Sequence, residues 1–216
     1  MKLLLENWNR YLNEGIDPRI QKQLDELVKT GVGIVMTKMS GDWGEPVVRF
    51  VYNSLDDFGD EFGTTSDGSE PILPHGEIHI VEAEGDQGRC LDGWIVDNVE
   101  ALQGWGPLLY EVALEWASQN GGGLTSGREE VSDFAEEVWK KYLVRTDVKK
   151  DQLDILAVHG LPQLTPNYWK DDCFQSKALA TGGDDGWADT PFAKMYSKPN
   201  TEVTNALKAA GRFVEK

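Results

Sequence analysis

The chain contains several stretches in which apolar residues recur every three or four positions. That spacing places them on one face of an α-helix. The first predicted helix covers residues 3–13, and the second ends at Gly31, a residue that suits a helix terminus. A third helix is expected from Pro107, which suits a first helical position, and a fourth from Ser132, whose hydroxyl can cap it. A short last helix is expected over residues 201–210.

Between the second and third helices the apolar period falls to two, as in strands with one buried face. Four strands are predicted there, and a short fifth strand is expected around Leu124. Consecutive strands with short connections pair as an antiparallel meander, and a strand–helix–strand unit gives a right-handed crossover to a parallel neighbour. We therefore predict an α/β (α+β) fold with a mixed sheet. The four strands are Val32 to Lys38, Val47 to Tyr52, Glu77 to Ala83 and Cys90 to Val96, with a loop over residues 56–74.

The composition fits a folded protein with a strongly acidic surface. Of 216 residues, 40 % are hydrophobic, and 37 acidic residues against 21 basic ones give a formal charge of −16. Binding to nucleic acid needs a cationic surface that displaces counterions from phosphates, and the chain has no run of basic residues that provides one. The same charge argues against an anionic membrane surface, and no apolar stretch reaches the length of a membrane span.

The cysteines and histidines show no metal-ligand spacing. Cys90 and Cys173 lie far apart, so two free thiols in a reducing cytosol are the expectation, with a disulfide or a catalytic thiol as alternatives. His75, His79 and His159 are isolated from one another, and no metal is predicted.

A glycine-rich turn connects the predicted fourth strand to the third helix. Its residues are Gln103, Gly104, Trp105 and Gly106, followed by Pro107. A strand that runs through such a turn into a helix presents free backbone N–H groups at the positive helix end, which suits a phosphate group. In the alternative interpretation, the glycines only turn a tight corner and the tryptophan packs against the core.

The order of elements and this turn together resemble the acetyltransferases of the GNAT superfamily over residues 32–145. The pyrophosphate loop of that family has the form Arg/Gln-x-x-Gly-x-Gly/Ala. Gln103 and Gly106 match it, whereas Leu108 departs from it at the last position. The resemblance implies a GNAT-like mixed sheet and a cofactor that is acetyl-CoA or another acyl-CoA. It also implies that the N–H groups of Gly104, Trp105 and Gly106 face the pyrophosphate.

The resemblance implies transfer of an acyl group to an amine, on a small molecule or a protein. Many of these enzymes carry Asn-x-x-Ala-x-x-x-Tyr on the helix after the fifth strand, and the tyrosine protonates the departing thiolate. Here Trp139 stands at the tyrosine position, and Tyr142, one turn later, is the alternative acid; both also suit a helix core. Asp97, at the end of the strand before the turn, is the preferred general base, with Asp92, Glu82 and Glu100 as further candidates.

The N-terminal segment resembles the targeting peptides of proteins packaged into the proheads of large tailed bacteriophages. Leu12-Asn13-Glu14-Gly15 fits the Leu/Ile-x-Glu cleavage site of the prohead proteases, so cleavage between Glu14 and Gly15 is expected. An ordinary docking helix followed by a turn is the alternative. The predicted organisation is a propeptide at 1–14, a GNAT-like core at 15–148 and an irregular extension at 149–216 that ends in a helix.

Two further function classes stay open beside an acyltransferase. The chain can be a phage internal or virion protein that keeps the fold without turnover, with the prohead core and protease as partners. It can also be an acidic module that occupies a basic host protein, an interpretation that rests on the charge of −16. The expected location is the host cytoplasm or the inside of the virion.

Overall fold

The computed structural model of the chain describes residues 17–41, 44–55, 76–156, 162–176, 179 and 186–216. Four α-helices lie in this part of the chain, and none of these helices is long and apolar enough to cross a membrane. They are α1 (Pro18–Thr30), α2 (Gly106–Asn120), α3 (Asp133–Val144) and α4 (Glu202–Ala209).

Ten strands accompany these helices in the described residues, and eight of them form one mixed sheet in the order β10-β1-β2-β3-β4-β5-β9-β6. The other two, β7 and β8, pair with each other in parallel. The first five strands are β1 (Val32–Ser40), β2 (Pro46–Ser54), β3 (Gly76–Glu82), β4 (Trp94–Ala101) and β5 (Leu124–Thr125). The last five are β6 (Lys149–Gln152), β7 (Asp154–Ile155), β8 (Asp172–Cys173), β9 (Lys194–Ser197) and β10 (Phe213–Glu215).

The predicted mixed α/β sheet is confirmed. Strands β1 to β4 pair as consecutive antiparallel neighbours, and β4 then pairs in parallel with β5 across the crossover helix α2. Two predicted helix termini, Gly31 and Ser132, also agree with the structure. Asp17 caps α1 by accepting a hydrogen bond from the Arg19 N–H at 2.8 Å, and Gly31 ends the helix with φ of 75°. Ser132 caps α3 through the N–H of Ala135, as its position predicted.

Two parts of the chain differ from the sequence-based expectations. The predicted strand at Cys90 begins later, at Trp94, because Cys90, Leu91 and Asp92 form a turn with φ between 43° and 58°. Beyond residue 148, where an irregular extension was predicted, β9 lies antiparallel between β5 and β6, and β10 lies parallel to β1. These strands have only three or four residues, too few for an alternating pattern to be visible.

All four helices contribute to a single hydrophobic core on one face of the sheet. Alternate residues of each central strand point into it, because successive side chains of a strand lie on opposite faces. Helix α2 is apolar on most of its circumference and is the most deeply buried of the four. The strand residues of this core include Ile34, Met36, Val48, Phe50, Tyr52, Ile78, Ile80, Trp94 and Val96.

A smaller cluster covers the opposite face of the sheet around Ile95 and Met195. At its centre a disulfide joins Cys90 and Cys173, which are 83 residues apart in sequence. The expectation of two free thiols is therefore wrong. The turn at Cys90 and strand β8 bring the two Cα atoms to 4.6 Å, a proximity that sequence spacing does not reveal.

The N-terminal predictions, namely the helix over residues 3–13 and cleavage between Glu14 and Gly15, lie outside the described residues, as does the predicted loop over residues 56–74.

Candidate functional site

The turn between β4 and α2 has the geometry of an uncapped helix start. Gly104 has φ of +91°, a backbone conformation that favours glycine, and α2 has no side-chain cap at its N-terminus. The N–H of Trp105 donates to the carbonyl of Leu102 at 3.0 Å, so this amide is already used within the turn. The N–H groups of Gly104 and Gly106 donate to no other described residue. Two of the three amides predicted to face a phosphate are thus available.

The Trp105 side chain packs, as the alternative interpretation of the turn expected. Its ring lies edge-on to Tyr52, with centroids 5.5 Å apart. The Tyr52 hydroxyl donates to the Trp105 carbonyl at 2.9 Å, and burial raises the pKa of Tyr52 well above its ordinary value. These contacts fix the turn to β2, so its exposed amides have a defined position.

Strand β4 has a free edge next to this turn. Its parallel pairing with β5 ends at Ile95 and Thr125, whereas β4 continues to Ala101. The backbone of Gly127 closes the inner end of the gap, since a Cβ atom there would lie 3.3 Å from the Val96 carbonyl oxygen. Beyond that point the described chain supplies no strand partner on this side of β4.

Asp97, the predicted general base, lies on this part of β4 with an exposed side chain. The register between β3 and β4 shifts here: His79 pairs with Asn98 and Ile80 with Val96, so Asp97 is the extra residue of a β-bulge. The alternative bases are placed differently. Asp92 pairs with Arg89 on the disulfide turn, and Glu82 is the last residue of β3.

Basic side chains from two other helices lie beside the start of α2. They line a small cleft of about 50 Å³ that also includes Pro107 and Glu111. Arg19 pairs with Asp17, whereas Lys141 has no ion pair among the described residues. Sequence reasoning did not find this lysine, because it lies on α3 and only the fold brings it to the same cleft as Pro107. The side chains with basic groups in this cleft are Arg19, Lys141 and Arg145.

Comparisons with known proteins assign no relative to this chain: no family model, no curated protein and no solved structure matches it.

Tyr142 and Trp139, the two residues weighed as the proton donor, lie in the core. Trp139 is 1 % exposed and contacts the ring of Tyr196 at a centroid distance of 5.4 Å. The Tyr142 hydroxyl donates to Glu111 Oε2 at 3.4 Å. Burial raises the pKa of Tyr142 well above its ordinary value, and the neighbouring Glu111 carboxylate adds to the increase. This environment favours packing over proton transfer to a departing thiolate.

A buried ion cluster holds the middle of α2 to its neighbours. Lys198 Nζ lies 2.8 Å from Glu111 Oε1 and 3.2 Å from Glu115 Oε1. Glu111 also binds the Arg145 guanidinium at the end of α3 through both oxygens. Glu115 accepts the N–H groups of Val203 and Thr204, at the first turn of α4. In the sequence, this cluster is indicated only by two glutamates four residues apart on a largely apolar helix.

The cluster shifts the pKa values of its members in opposite directions. Burial alone would raise the pKa of Glu111, but Arg145 and Lys198 hold it below its ordinary value. For Glu115, burial outweighs Lys198 and raises the pKa. Burial alone would lower the pKa of Lys198, yet the two carboxylates raise it. The difference between the glutamates follows from the number of cations that each one faces.

Proposed function

We propose that this chain is a GNAT-like N-acyltransferase that binds acetyl-CoA or another acyl-CoA at the turn between β4 and α2. The observation that carries the proposal is the combination of this turn with the free edge of β4. Together they offer an anion-binding helix start next to an extended backbone edge along which a pantetheine chain can lie.

The sheet order supports the proposal. In the family that the sequence resembles, the acyl-CoA occupies a notch where two parallel neighbouring strands separate. Here β4 and β5 are parallel neighbours that pair only at Trp94–Leu124 and Ile95–Thr125. The remainder of β4, up to Ala101, leads to Gly104 and Gly106.

The electrostatics of the turn are compatible with a polyanionic substrate. The chain as a whole is strongly acidic, with a formal charge of −16, so binding depends on local groups. The N–H groups of Gly104 and Gly106, the positive end of α2 and the ammonium of Lys141 are such groups. We assign them to the pyrophosphate, together with the exposed side chain of Gln103.

The acyl-CoA would supply the acyl group, and the protein would supply the base and the orientation. Asp97 lies on the β-bulge beside the free edge, where its carboxylate can take a proton from the acceptor amine, directly or through water. With acyl-CoA bound, the neutral amine would attack the thioester carbonyl carbon and the carbon–sulfur bond would break. The proton that the new amide nitrogen loses would pass through solvent to the departing thiolate. Tyr142 has a packing role in this proposal.

The first test is a titration of the full chain with acetyl-CoA by calorimetry, together with the melting temperature at saturating ligand. Gly106→Ala is the sharpest variant. A Cβ atom at this position would meet only the Ala101 Cβ at 3.7 Å, so the fold accommodates it, while the methyl group lies where the pyrophosphate approaches the backbone. We expect at least a tenfold weaker affinity and an unchanged melting temperature of the free protein.

A matched pair of lysines provides the control. Lys141→Ala should weaken acetyl-CoA binding about fivefold, whereas Lys140→Ala should not, because Lys140 pairs with Glu136 and Glu137 away from the cleft. The proposal fails if saturating acetyl-CoA neither releases heat nor shifts the melting temperature of the unmodified protein.

We also propose that the chain is packaged in a phage head, a proposal that Leu12-Asn13-Glu14-Gly15 motivates. It is compatible with acyltransferase activity and with a non-catalytic internal protein. Mass spectrometry of purified particles should find a protein that begins at Gly15, and particle-associated protein with an intact Met1 would contradict the proposal.

A further inference from the structure

Three carboxylates converge at the small parallel pair of β7 and β8. Asp154 lies on β7, Asp172 is its register partner on β8, and Asp171 comes immediately before. One oxygen from each of them lies within 4.8 Å of the others. Asp154 and Asp171 are buried, and Asp172 is half-buried.

No cation compensates this cluster within the described part of the chain. None of the three aspartates forms an ion pair there, in contrast to Glu111 and Glu115 with their lysine and arginine partners. Three like charges at this spacing therefore need either a proton or a positive ion between them.

Asp154 and Asp171 differ in how many of their carboxylate oxygens accept hydrogen bonds. Asp154 Oδ1 accepts the N–H groups of Ile155 and Leu164, and Oδ2 accepts the N–H and hydroxyl of Thr165. Its two oxygens are therefore satisfied by the loop that they hold in place.

Asp171 is only partly satisfied. Its Oδ2 accepts the Thr165 hydroxyl at 2.7 Å, but its Oδ1 is buried and has no hydrogen-bond partner among the described residues. The residue as a whole is 7 % exposed. A buried acceptor without a donor is costly, and it points to a ligand that this oxygen binds inside the cluster.

We propose that this cluster binds one hard divalent cation, with Ca²⁺ as the probe. All of its ligand atoms are oxygens, the donors that Ca²⁺ and Mg²⁺ prefer over softer metals. Asp171 Oδ1 and the Asp172 carboxylate coordinate the ion. Asp154 adds negative charge and positions the loop, and water and backbone carbonyl groups complete the coordination.

The ion would join the loop at residues 162–171 to β7 and β8, next to the disulfide at Cys173. This loop presents Tyr168 and Trp169 to solvent, with exposed fractions of 49 % and 60 %. The cation and the disulfide therefore fix the same surface segment from two sides. The sequence-based expectation of no metal did not anticipate this site, because Asp154 is far from the other two aspartates in the chain.

Calorimetric titration of the full, metal-free chain with CaCl₂ tests the proposal, at physiological salt concentration so that diffuse binding to the acidic surface is screened. We expect saturable binding of one ion and a higher melting temperature. Asp171→Asn keeps the shape of the side chain and removes a coordinating charge, so the affinity should fall at least tenfold. Asp189→Asn removes one exposed carboxylate from another turn and should leave the affinity unchanged.

Three outcomes would overturn the proposal. One is binding to many weak sites without saturation, and another is equal affinity of wild type and Asp171→Asn. The third is that neither Ca²⁺ nor Mg²⁺ binds the wild-type chain and that Asp171→Asn raises the melting temperature. That result would indicate a proton shared between Asp171 and Asp172. Binding of Mg²⁺ in preference to Ca²⁺ would support the site and identify the smaller ion.

Discussion

Replacing Lys198 with methionine removes the central cation of the buried ion cluster on α2. The lysine is 2 % exposed, and its ammonium group contacts Glu111 and Glu115. Methionine has a similar length and fills the same space, so the variant changes charge more than packing. Glu111 then keeps Arg145 as a cation partner, whereas Glu115 loses its only ion-pair partner among the described residues.

The structure sets the expected magnitude. Removing one partner of a buried ion pair costs about 3–5 kcal/mol, because the other charge stays buried without compensation. The lower end applies here, since Arg145 still pairs with Glu111, and Val203 and Thr204 still donate to Glu115. A loss of about 3 kcal/mol corresponds to a melting temperature lower by roughly 6–12 °C for a chain of this size.

Urea unfolding at several pH values measures the loss and its origin. In the variant, Glu115 keeps the raised pKa that burial gives it and lacks its cation, so it takes up a proton in the folded state at a higher pH than in the unfolded chain. The folded state then binds more protons than the unfolded state, and its relative stability rises as the pH falls. The deficit of Lys198→Met against wild type should therefore shrink at pH 5.

Lys208→Met is the matched control. Lys208 is half-exposed and pairs with Glu215 at 2.6 Å on the surface, so its loss should cost less than about 1 kcal/mol. A double variant, Lys198→Met with Glu115→Gln, should recover part of the stability because it removes the uncompensated charge. If Lys198→Met stays within 1 kcal/mol of wild type at pH 7 and shows no change towards pH 5, the electrostatic account of the cluster is refuted.

The remaining predictions concern the disulfide and the tyrosine. Replacing Cys90 and Cys173 with serine should lower the free energy of unfolding by about 2–4 kcal/mol, and reduction of the wild-type chain should have a similar effect. Two thiols that react in unfolded, unreduced protein would contradict this disulfide. Tyr142→Phe should cost about 0.5–1.5 kcal/mol for one lost hydrogen bond and leave the acyl-transfer rate unchanged. A large fall in kcat with unchanged stability would restore Tyr142 as the proton donor.

Helix-capping residues and hydrophobic periodicity predicted the helix termini and the antiparallel strands of the fold. Ser132 begins a helix, Gly31 ends one, and the alternating strands β1 to β3 formed the meander that their pattern indicated. The strands after residue 148 were not predictable in this way. They have two to four residues each, and their pairing is determined by the sheet that they complete.

The same distinction holds for the candidate site: features built from neighbouring residues were predicted, and features that join distant residues were not. Its turn was visible in the sequence because Gln103, Gly104 and Gly106 are close neighbours in the chain. The disulfide, the carboxylate cluster at β7 and β8, and the lysine beside the turn join residues far apart in sequence. The burial of Lys198 is not visible in the sequence, because its carboxylate partners lie on other elements.

Helix α2 links the candidate anion-binding turn at its start to the buried ion cluster in its middle. Its first turn offers the N–H of Gly106 to an anion, and Glu111, little more than one turn later, lies in the buried ion cluster. Through Glu111 the cluster binds Arg145 at the end of α3, the helix that carries Lys141. The buried charges therefore hold the start of α2 next to the end of α3, the two backbone segments that carry the amide and the lysine assigned to the pyrophosphate. An uncapped helix start held in this way is preorganised for an anionic ligand, because its amides need no rearrangement when the ligand arrives.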